Sequence, residues 1–480
     1  MTLDTGASAG RPAHKWIVLV VASAGLFLSL LDVSLNVALP NITNSFATDI
    51  QTVQWIIILY VGTATGLQLS LGSAADTYGL KRVYILGLVG YTVAVLVIAL
   101  APNLPVVLGL RIFQAIGNGL VAASVPALIT RSFPAGQRGT AMGIMATIAT
   151  AGMITGSLGS GFLVDAFGWR AVFLARVPVG VVIILLAVTL LREQRPDRSG
   201  VRFDFAGALT LFVGLASFIG FLTLGGRNGW TSVSALLLAF LSPLFLALFV
   251  RVERTTEHPL LDLALLKHRV LSFGTATAYL MYMGIFLNWF VLPFYVTGSL
   301  GASARDLGLL LTLTPVVGAV AAPLGGWCSD RTSPAYVTTL ALLILAGAMG
   351  WFSSLDEAST LFDVGLRTGL TGLGIGLFQA SNASLVMGSV PASRLGAGGA
   401  FIAVARNMGT VSSVAVLGFV FAARVEWHTA SLAAMSVVGE PVEAQGFIRA
   451  FRDVYLISAA LVAAAAVASL AYCSWPARKR

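Results

Sequence analysis

The sequence predicts an all-α fold: a polytopic membrane protein with fourteen transmembrane helices, arranged as two homologous six-helix bundles with an inserted helix pair. Three observations support this prediction, namely the composition, fourteen long apolar runs and an internal repeat. Of the 480 residues, 57% are hydrophobic and only 10% are charged, whereas soluble domains are about 25% charged. This composition excludes a disordered chain, a secreted disulfide scaffold and an ordinary soluble enzyme.

The apolar runs are long enough to cross a bilayer. A hydrocarbon core about 30 Å thick requires about 20 residues of α-helix. The first run carries Asp32 and is too long for a cleaved signal peptide, so we expect it to remain as a span. In chain order, the predicted spans cover residues 16–39, 52–72, 82–101, 105–129, 139–163, 171–191, 205–224, 232–250, 271–298, 306–326, 336–354, 361–388, 397–423 and 453–474.

The distribution of Lys and Arg predicts the orientation of the chain in the membrane. With the N-terminus in the cytoplasm, about 19 basic residues fall in inner loops and tails and about 6 in outer loops, as the positive-inside rule requires. We therefore expect both tails, residues 1–14 and 476–480, to be cytoplasmic in a multi-pass cell-membrane protein. The same distribution accounts for the net charge of +9, so no nucleic-acid partner is expected.

An internal repeat divides the chain into two halves. The segments LGSAADT (71–77) and GGWCSDR (325–331) each place Gly four residues before Asp, at an offset of about 254. The segments FPAGQRG (133–139) and VPASRLG (390–396), and the residues Arg111 and Arg367, repeat at about the same offset. The repeat predicts two six-helix units, 15–192 and 269–475, with an inserted pair over 203–251. Parallel repeats of this kind build one large class of transporters, with the substrate near the midplane.

Five segments carry a resemblance to a known family: LDVSLNVALPNI (31–42), GSAADTYGLKR (72–82), RIFQAIGNG (111–119), WRAVFLARVPVG (169–180) and RFDFAGALTL (202–211). Over nearly the whole chain, the sequence resembles the major facilitator superfamily, in its fourteen-helix drug–proton antiporter branch. The resemblance implies a secondary active transporter, a proton-coupled antiporter that exports drugs or natural products by alternating access. The implied partners are a small-molecule substrate, protons and the lipid bilayer. No cofactor is expected, and a monomer is the default.

Two positions depart from the family pattern. In GMITGSLGSG (152–161) Ser157 stands where exporters of the family carry Pro, and Arg176 stands where the family usually has a small amide. The first departure keeps a proton-coupled importer or symporter of a small metabolite open as an alternative. A channel and a membrane-embedded enzyme are the alternatives from other classes.

Asp32 and Arg111 are the predicted proton-coupling residues. By the predicted spans, Asp32 is the one acidic residue well inside a span, and such a residue is a functional candidate by default. Asp32 lies roughly 12 Å, and Arg111 roughly 10 Å, from the outer end of its span. We expect Asp32 to bind and release the coupling proton, with Arg111 and burial acting in opposite directions on its pKa. The alternative is a permanent ion pair that locks spans one and four.

A second group of residues is predicted to form a gating loop between spans two and three. Glycine permits the tight turn, and a carboxylate at the mouth of a span can cap a helix or pair with a basic residue. The alternative is a solvated loop that only obeys charge topology. The predicted gating residues are Gly72, Asp76, Gly79, Lys81 and Arg82, with Asp330 and Arg331 as the counterpart in the second half.

Span five carries small residues at helical spacing, which permit close approach of membrane helices. Gly152, Gly156, Gly159 and Gly161 are therefore predicted to form a packing face and a hinge between the halves; plain packing is the alternative. A further set of polar and aromatic residues is predicted to line the substrate cavity, with interhelical hydrogen bonding as the alternative for each. These residues are Tyr60, Gln68, Gln114, Asn118, Arg176, Tyr279, Asn288, Trp289, Gln379 and Asn382.

The intramembrane charges predict the substrate class. Four Arg residues and one Asp lie within the predicted spans, and this balance disfavours a lipophilic cation. We therefore expect neutral, zwitterionic or anionic substrates. All four His residues fall in tails or loops, and the sequence contains no Walker A loop and no metal-binding motif. We accordingly expect no enzyme activity and no metal.

Overall fold

A computed structural model describes residues 12–192, 204–256, 265, 267–390, 395–434 and 442–474 as an all-α protein. Within these ranges, fourteen helices are long and apolar enough to cross a membrane, which confirms the predicted number. They are α1 His14–Ser45, α2 Ile50–Leu67, α3 Leu80–Ala99, α4 Leu104–Ser132, α5 Arg138–Phe167, α6 Trp169–Leu190, α7 Phe205–Asn228, α8 Val233–Thr255, α9 Arg269–Ser299, α10 Ala304–Arg331, α11 Pro334–Phe352, α12 Leu361–Gly388, α13 Gly398–Ala434 and α14 Val442–Leu470.

Three of these helices contain a 3-10 or π-helical turn inside the span. In α1, a 3-10 turn over Leu31–Val33 separates two α-helical segments. In α9 and α13, single π-helical turns occupy Tyr295–Ser299 and Ser413–Leu417. Such irregular turns within helices are frequent at functional sites. The turn in α1 contains Asp32.

The two halves pack their helices in the same pattern. In the first half α1 contacts α4, α5 and α6, while α4 contacts α2 and α3. In the second half α9 contacts α12, α13 and α14, while α12 contacts α10 and α11. Each of these contacts of the first half thus recurs eight helices later, as expected for a duplicated unit.

The halves meet along α5 and α10, and along α2 and α13. A Cβ added at Gly161 of α5 would lie 2.8 Å from the Ala304 carbonyl oxygen of α10, and one at Gly308 would lie 2.8 Å from the Ser157 carbonyl oxygen. Towards the opposite ends of these helices, a Cβ at Gly143 or Gly326 would meet no described atom within 4 Å. The packing between α5 and α10 is therefore close at the end that carries Gly161.

Helix α7 of the inserted pair lies over the contact between α2 and α13. A Cβ at Gly66 of α2 would lie 2.7 Å from the Phe212 side chain of α7, and a Cβ at Gly226 of α7 would lie 2.7 Å from the Phe419 side chain of α13. Because α2 and α13 belong to different halves, α7 covers one of the two contacts along which the halves meet.

The structure corrects the predicted gating loop. The α-helix of α2 extends beyond the apolar span given above and runs from Trp55 to Tyr78, so Gly72 and Asp76 are helical. The chain reverses at Gly79 alone, where φ is 99°, a value that glycine adopts without steric cost. With one glycine sufficient for the turn, residues 72–78 keep their helical hydrogen bonding. The second-half counterparts Asp330 and Arg331 are likewise the last residues of α10.

Candidate functional site

Asp32 lies between two guanidinium groups from two other helices. Arg111 of α4 donates from Nη1 to Asp32 Oδ1 at 3.1 Å and from Nη2 to Asp32 Oδ2 at 2.9 Å. Arg176 of α6 donates from Nη1 to Asp32 Oδ1 at 2.6 Å. The carboxylate of the α1 turn therefore joins α4 and α6.

Arg111 is fixed by further contacts. Its Nε donates to the Ile56 carbonyl oxygen at 3.1 Å, and its Nη1 donates to Gln114 Oε1 at 2.6 Å. Gln114 Nε2 in turn donates to Asp32 Oδ1 at 2.9 Å. The Arg111 guanidinium lies 4.0 Å from the centre of the Tyr60 ring, a cation–π geometry. Gln114, predicted to line the cavity, thus belongs to the Asp32 network.

Arg176 also departs from its predicted place in the substrate cavity. Its side chain is buried, donates to Ser34 Oγ and to Tyr91 Oη, the latter at 3.3 Å, and lies over the Phe173 ring. A buried guanidinium requires a partner, and the Asp32 carboxylate is within reach. The sequence contained a signal for this contact, since Arg176 lies seven residues from the start of α6, about 10 Å deep like Asp32 and Arg111.

The network, which we call the Asp32 cluster (Asp32, Arg111, Arg176 and Gln114), carries a formal charge of +1. The two Arg residues are 1% and 2% exposed, while the Asp32 side chain retains 10% exposure. Protonation of Asp32 would raise the formal charge to +2 and weaken the hydrogen bonds to both guanidinium groups, because a neutral carboxyl group is a weaker acceptor than a carboxylate. The contacts of Asp32 and its protonation state are therefore linked.

The glycine face of α5 supports the turn that holds Asp32. A Cβ at Gly152 would lie 2.7 Å from the Phe27 carbonyl oxygen, and one at Gly156 would lie 2.9 Å from the Leu31 carbonyl oxygen. Gly161 instead approaches α10 of the other half. The prediction was wrong for Gly159, because a Cβ there would meet no described atom within 4 Å.

Several predicted cavity residues form hydrogen bonds between helices of the second half. Tyr279 donates to Ser412 Oγ at 3.1 Å. Asn288 accepts from Tyr455 Oη at 2.6 Å and is buried, so it joins α9 to α14 rather than lining a cavity. Gln379 Nε2 donates to Tyr282 Oη at 2.9 Å.

The other predicted cavity residues differ in their surroundings. Trp289 packs against the Phe286 ring at 5.7 Å. Tyr60, Asn118 and Asn382 each have a buried side-chain oxygen without a hydrogen-bond partner in the described part of the chain. The side chain of Gln68, like that of Asp76, lies outside the described residues.

The predicted gating cations contact backbone and aromatic groups. Lys81 Nζ donates to the carbonyl oxygens of Val188 at 3.0 Å and Leu191 at 2.6 Å, at the C-terminal end of α6, where a cation is favourable. Arg331 lies 4.1 Å from the centre of the Trp327 ring. Arg82 is exposed near the start of α3. Of these three cations, Lys81 thus joins the start of α3 to the end of α6 through its hydrogen bonds to the two carbonyl oxygens.

Comparison with known proteins identifies the relatives of this chain. Residues 21–260 and 271–439 match the Major Facilitator Superfamily. The riboflavin transporter RibZ of Clostridioides difficile (strain 630) is 28% identical over 86% of this chain and 90% of its own length. The tetracenomycin C resistance and export protein of Streptomyces glaucescens is 28% identical over 88% of this chain and 79% of its own. A solved bacterial homologue of the human lysosomal transporter Spinster has a TM-score of 0.67 at 16% identity, over 96% of this chain and 99% of that one.

Proposed function

This chain belongs to the Major Facilitator Superfamily, and we propose that it is a proton-coupled antiporter that exports small organic molecules by alternating access. Its family and its relatives make it a multi-pass membrane transporter of small molecules rather than an enzyme. The direction of transport, the coupling ion and the substrate charge are the parts that we propose.

The observation that carries the proposal is the Asp32 cluster. A carboxylate inside a spanning helix is costly and is typically retained for a function. Asp32 lies in an irregular turn of α1 and keeps 10% side-chain exposure, so a proton has access to it. The turn also packs against α5 at Gly156, and α5 contacts α10 of the other half. Movement between the halves would therefore reach the proton-binding group.

Two further observations support export. One relative at 28% identity is named as a resistance and export protein, and the described part of the chain has the fourteen spans of the drug–proton antiporter branch. In this proposal the units 15–192 and 269–475 move against each other, both termini lie in the cytoplasm, and the protein works as a monomer in the cell membrane.

The test uses inverted membrane vesicles with an acidified lumen and a pH-sensitive dye that is quenched by the proton gradient. Addition of a transported compound from a panel of drugs and natural products is expected to dequench the dye, because each antiport cycle releases lumenal protons. Vesicles with the Asp32→Asn variant at matched protein level are expected to show no dequenching. A compound that dequenches both vesicle types equally would contradict the proposal.

A second candidate function is proton-coupled symport of a small metabolite. The observation that favours it is the charge of the cluster, because protonation of Asp32 would leave two guanidinium groups without a compensating charge, and these could bind an anion together with the proton. A relative at 28% identity is named as a riboflavin transporter. The sign of the dye signal separates the two functions: in vesicles without an imposed gradient, inward symport acidifies the lumen, whereas antiport makes it alkaline.

A further inference from the structure

Three polar side chains of the second half lie together without contributing to the Asp32 cluster. Gln379 of α12 donates to the hydroxyl of Tyr282 on α9. On α13, Arg406 precedes Gly409 by one helical turn, and a Cβ added at Gly409 would lie 3.0 Å from Tyr282 Cβ of α9. Helices α9 and α12 are the repeat counterparts of α1 and α4, which hold Asp32 and Arg111. Each half thus places polar groups on the same pair of helices.

These residues lie deep within their spans. Arg406 is eight residues from the start of α13, and Gln379 is nine residues from the end of α12, which corresponds to depths of roughly 12 and 14 Å. Tyr282, thirteen residues into α9, lies at roughly 20 Å. Arginine at such depth usually faces a water-filled space or a ligand pathway.

Arg406 differs from the other intramembrane arginines in its partners. Arg111 and Arg176 bind Asp32, and Arg367 donates to the carbonyl oxygens of Trp351 and Asp363. No carboxylate of the described residues forms an ion pair with Arg406, and its side chain is exposed, as is that of Gln379. This positive charge is therefore available to a ligand.

Helix α13 packs against helices of both halves. Gly409, one turn away, meets the Tyr279 backbone of α9, and Phe419 on the far end lies against α7. Helix α13 also contacts α2 of the first half. Arg406 therefore lies on a helix that packs against α9 of its own half and also against α2 of the other half.

We propose that Arg406, Gln379 and Tyr282 form a subsite that binds the anionic group of the transported molecule, a carboxylate or a comparable oxyanion. The guanidinium offers two parallel N–H donors to such a group. Tyr282 accepts from Gln379, so its own hydroxyl hydrogen can donate to the ligand. This inference rests on the proposed function and deepens it, because it separates the substrate subsite in the second half from the proton site in the first.

The first experiment tests the local charge without requiring transport. Gln379→Cys is introduced into a chain in which Cys328 and Cys473 are replaced by Ser, purified in detergent free of anionic lipid. Its reaction rates with an anionic reagent (2-sulfonatoethyl methanethiosulfonate) and a cationic one (2-(trimethylammonium)ethyl methanethiosulfonate) are compared. Arg406→Gln is expected to lower the anionic-to-cationic rate ratio roughly five- to tenfold, and Arg406→Lys to preserve it.

The control reporter is the native Cys328 of α10 in a Cys473→Ser chain, where Arg406→Gln should leave the ratio unchanged. If the Arg406→Gln chain does not fold, the comparison uses the chain with Arg406 intact. In that chain the anionic-to-cationic rate ratio at the Gln379→Cys thiol must still exceed the ratio at Cys328. The subsite would be overturned if the rate ratio at the Gln379→Cys thiol is the same with Arg406 and with Arg406→Gln. It would also be overturned if that ratio is no higher than the ratio at Cys328, or if neither reagent reacts with the Gln379→Cys thiol.

The second experiment uses the compounds that give proton-linked flux in the vesicles described above. Arg406→Gln is expected to lower the flux of anionic compounds roughly ten- to hundredfold and to spare neutral ones, with partial recovery in Arg406→Lys. Equal loss for both classes, or a panel in which only cations are transported, would overturn the anion subsite. Absence of any flux would instead count against the proposed function, while the thiol rates still report on the subsite.

Discussion

Arg176 and Asp32 form a close ion pair between α6 and α1, with Nη1 of Arg176 lying 2.6 Å from Oδ1 of Asp32. Arg111 of α4 binds the same carboxylate through both of its terminal nitrogens. One anion therefore neutralises only one of two buried cations, and the excess positive charge determines how substitutions at this site should behave.

We expect Asp32→Asn to destabilise the protein more than Arg176→Gln does. Loss of the carboxylate leaves two buried guanidinium groups uncompensated, at a cost of about 3–5 kcal/mol, whereas loss of Arg176 leaves a neutral Asp32–Arg111 pair. The double variant Asp32→Asn/Arg176→Gln should therefore be more stable than Asp32→Asn alone. Thermal unfolding of the detergent-solubilised variants measures this order. A double variant whose loss of stability equals the sum of the losses in the two single variants would contradict the described network.

We expect Gly156→Ala to lower stability by about 1–3 kcal/mol. The new Cβ would lie 2.9 Å from the Leu31 carbonyl oxygen, and it would push α5 away from the turn that holds Asp32. Gly159→Ala is the matched control on the same helix, because its Cβ would meet no described atom within 4 Å; it should be neutral or stabilise the helix by up to about 1 kcal/mol. Equal unfolding temperatures for the two variants would refute the described packing of α5 on α1.

We expect Gly161→Ala to shift the equilibrium towards states in which α5 and α10 are separated at the end that carries Gly161. Its Cβ would lie 2.8 Å from the Ala304 carbonyl oxygen, so it disfavours close packing between α5 and α10. Spin labels at Phe167 of α5 and Leu309 of α10, both exposed positions near this contact, report the separation of the two helices. The population with a longer distance should grow in Gly161→Ala and stay constant in Gly159→Ala. An unchanged distance distribution would argue against this contact as part of the hinge between the halves.

The number of helices and the Asp32–Arg111 contact could be predicted from the sequence for physical reasons. Each span must bury about 20 apolar residues, so the helices appear as separate apolar runs. A charge inside such a run stands out, and counting residues along straight helices places Asp32 and Arg111 at nearly equal depth. The structure has them in direct contact.

The remaining features depend on tertiary geometry that a helical count does not contain. Residues 73–78 look like a loop because most of them are polar or small, yet a single positive φ at Gly79 is enough to reverse the chain. Gly159 and Gly156 belong to the same small-residue pattern, but of these two only Gly156 faces α1. The exposed side of Arg406 depends on how α9, α12 and α13 pack together, which its position in the sequence does not reveal.

Proton coupling through Asp32 is the central claim, and the most direct measurement compares substrate-induced dye dequenching in inverted vesicles that contain the unchanged chain or the Asp32→Asn/Arg176→Gln variant. The double variant removes the carboxylate without leaving the cluster doubly charged, so loss of signal does not merely report unfolding. We predict dequenching with the unchanged chain and none with the variant, while the variant still exchanges labelled substrate across the membrane without a proton gradient. Full dequenching by the variant would contradict the assignment of Asp32 as the coupling residue.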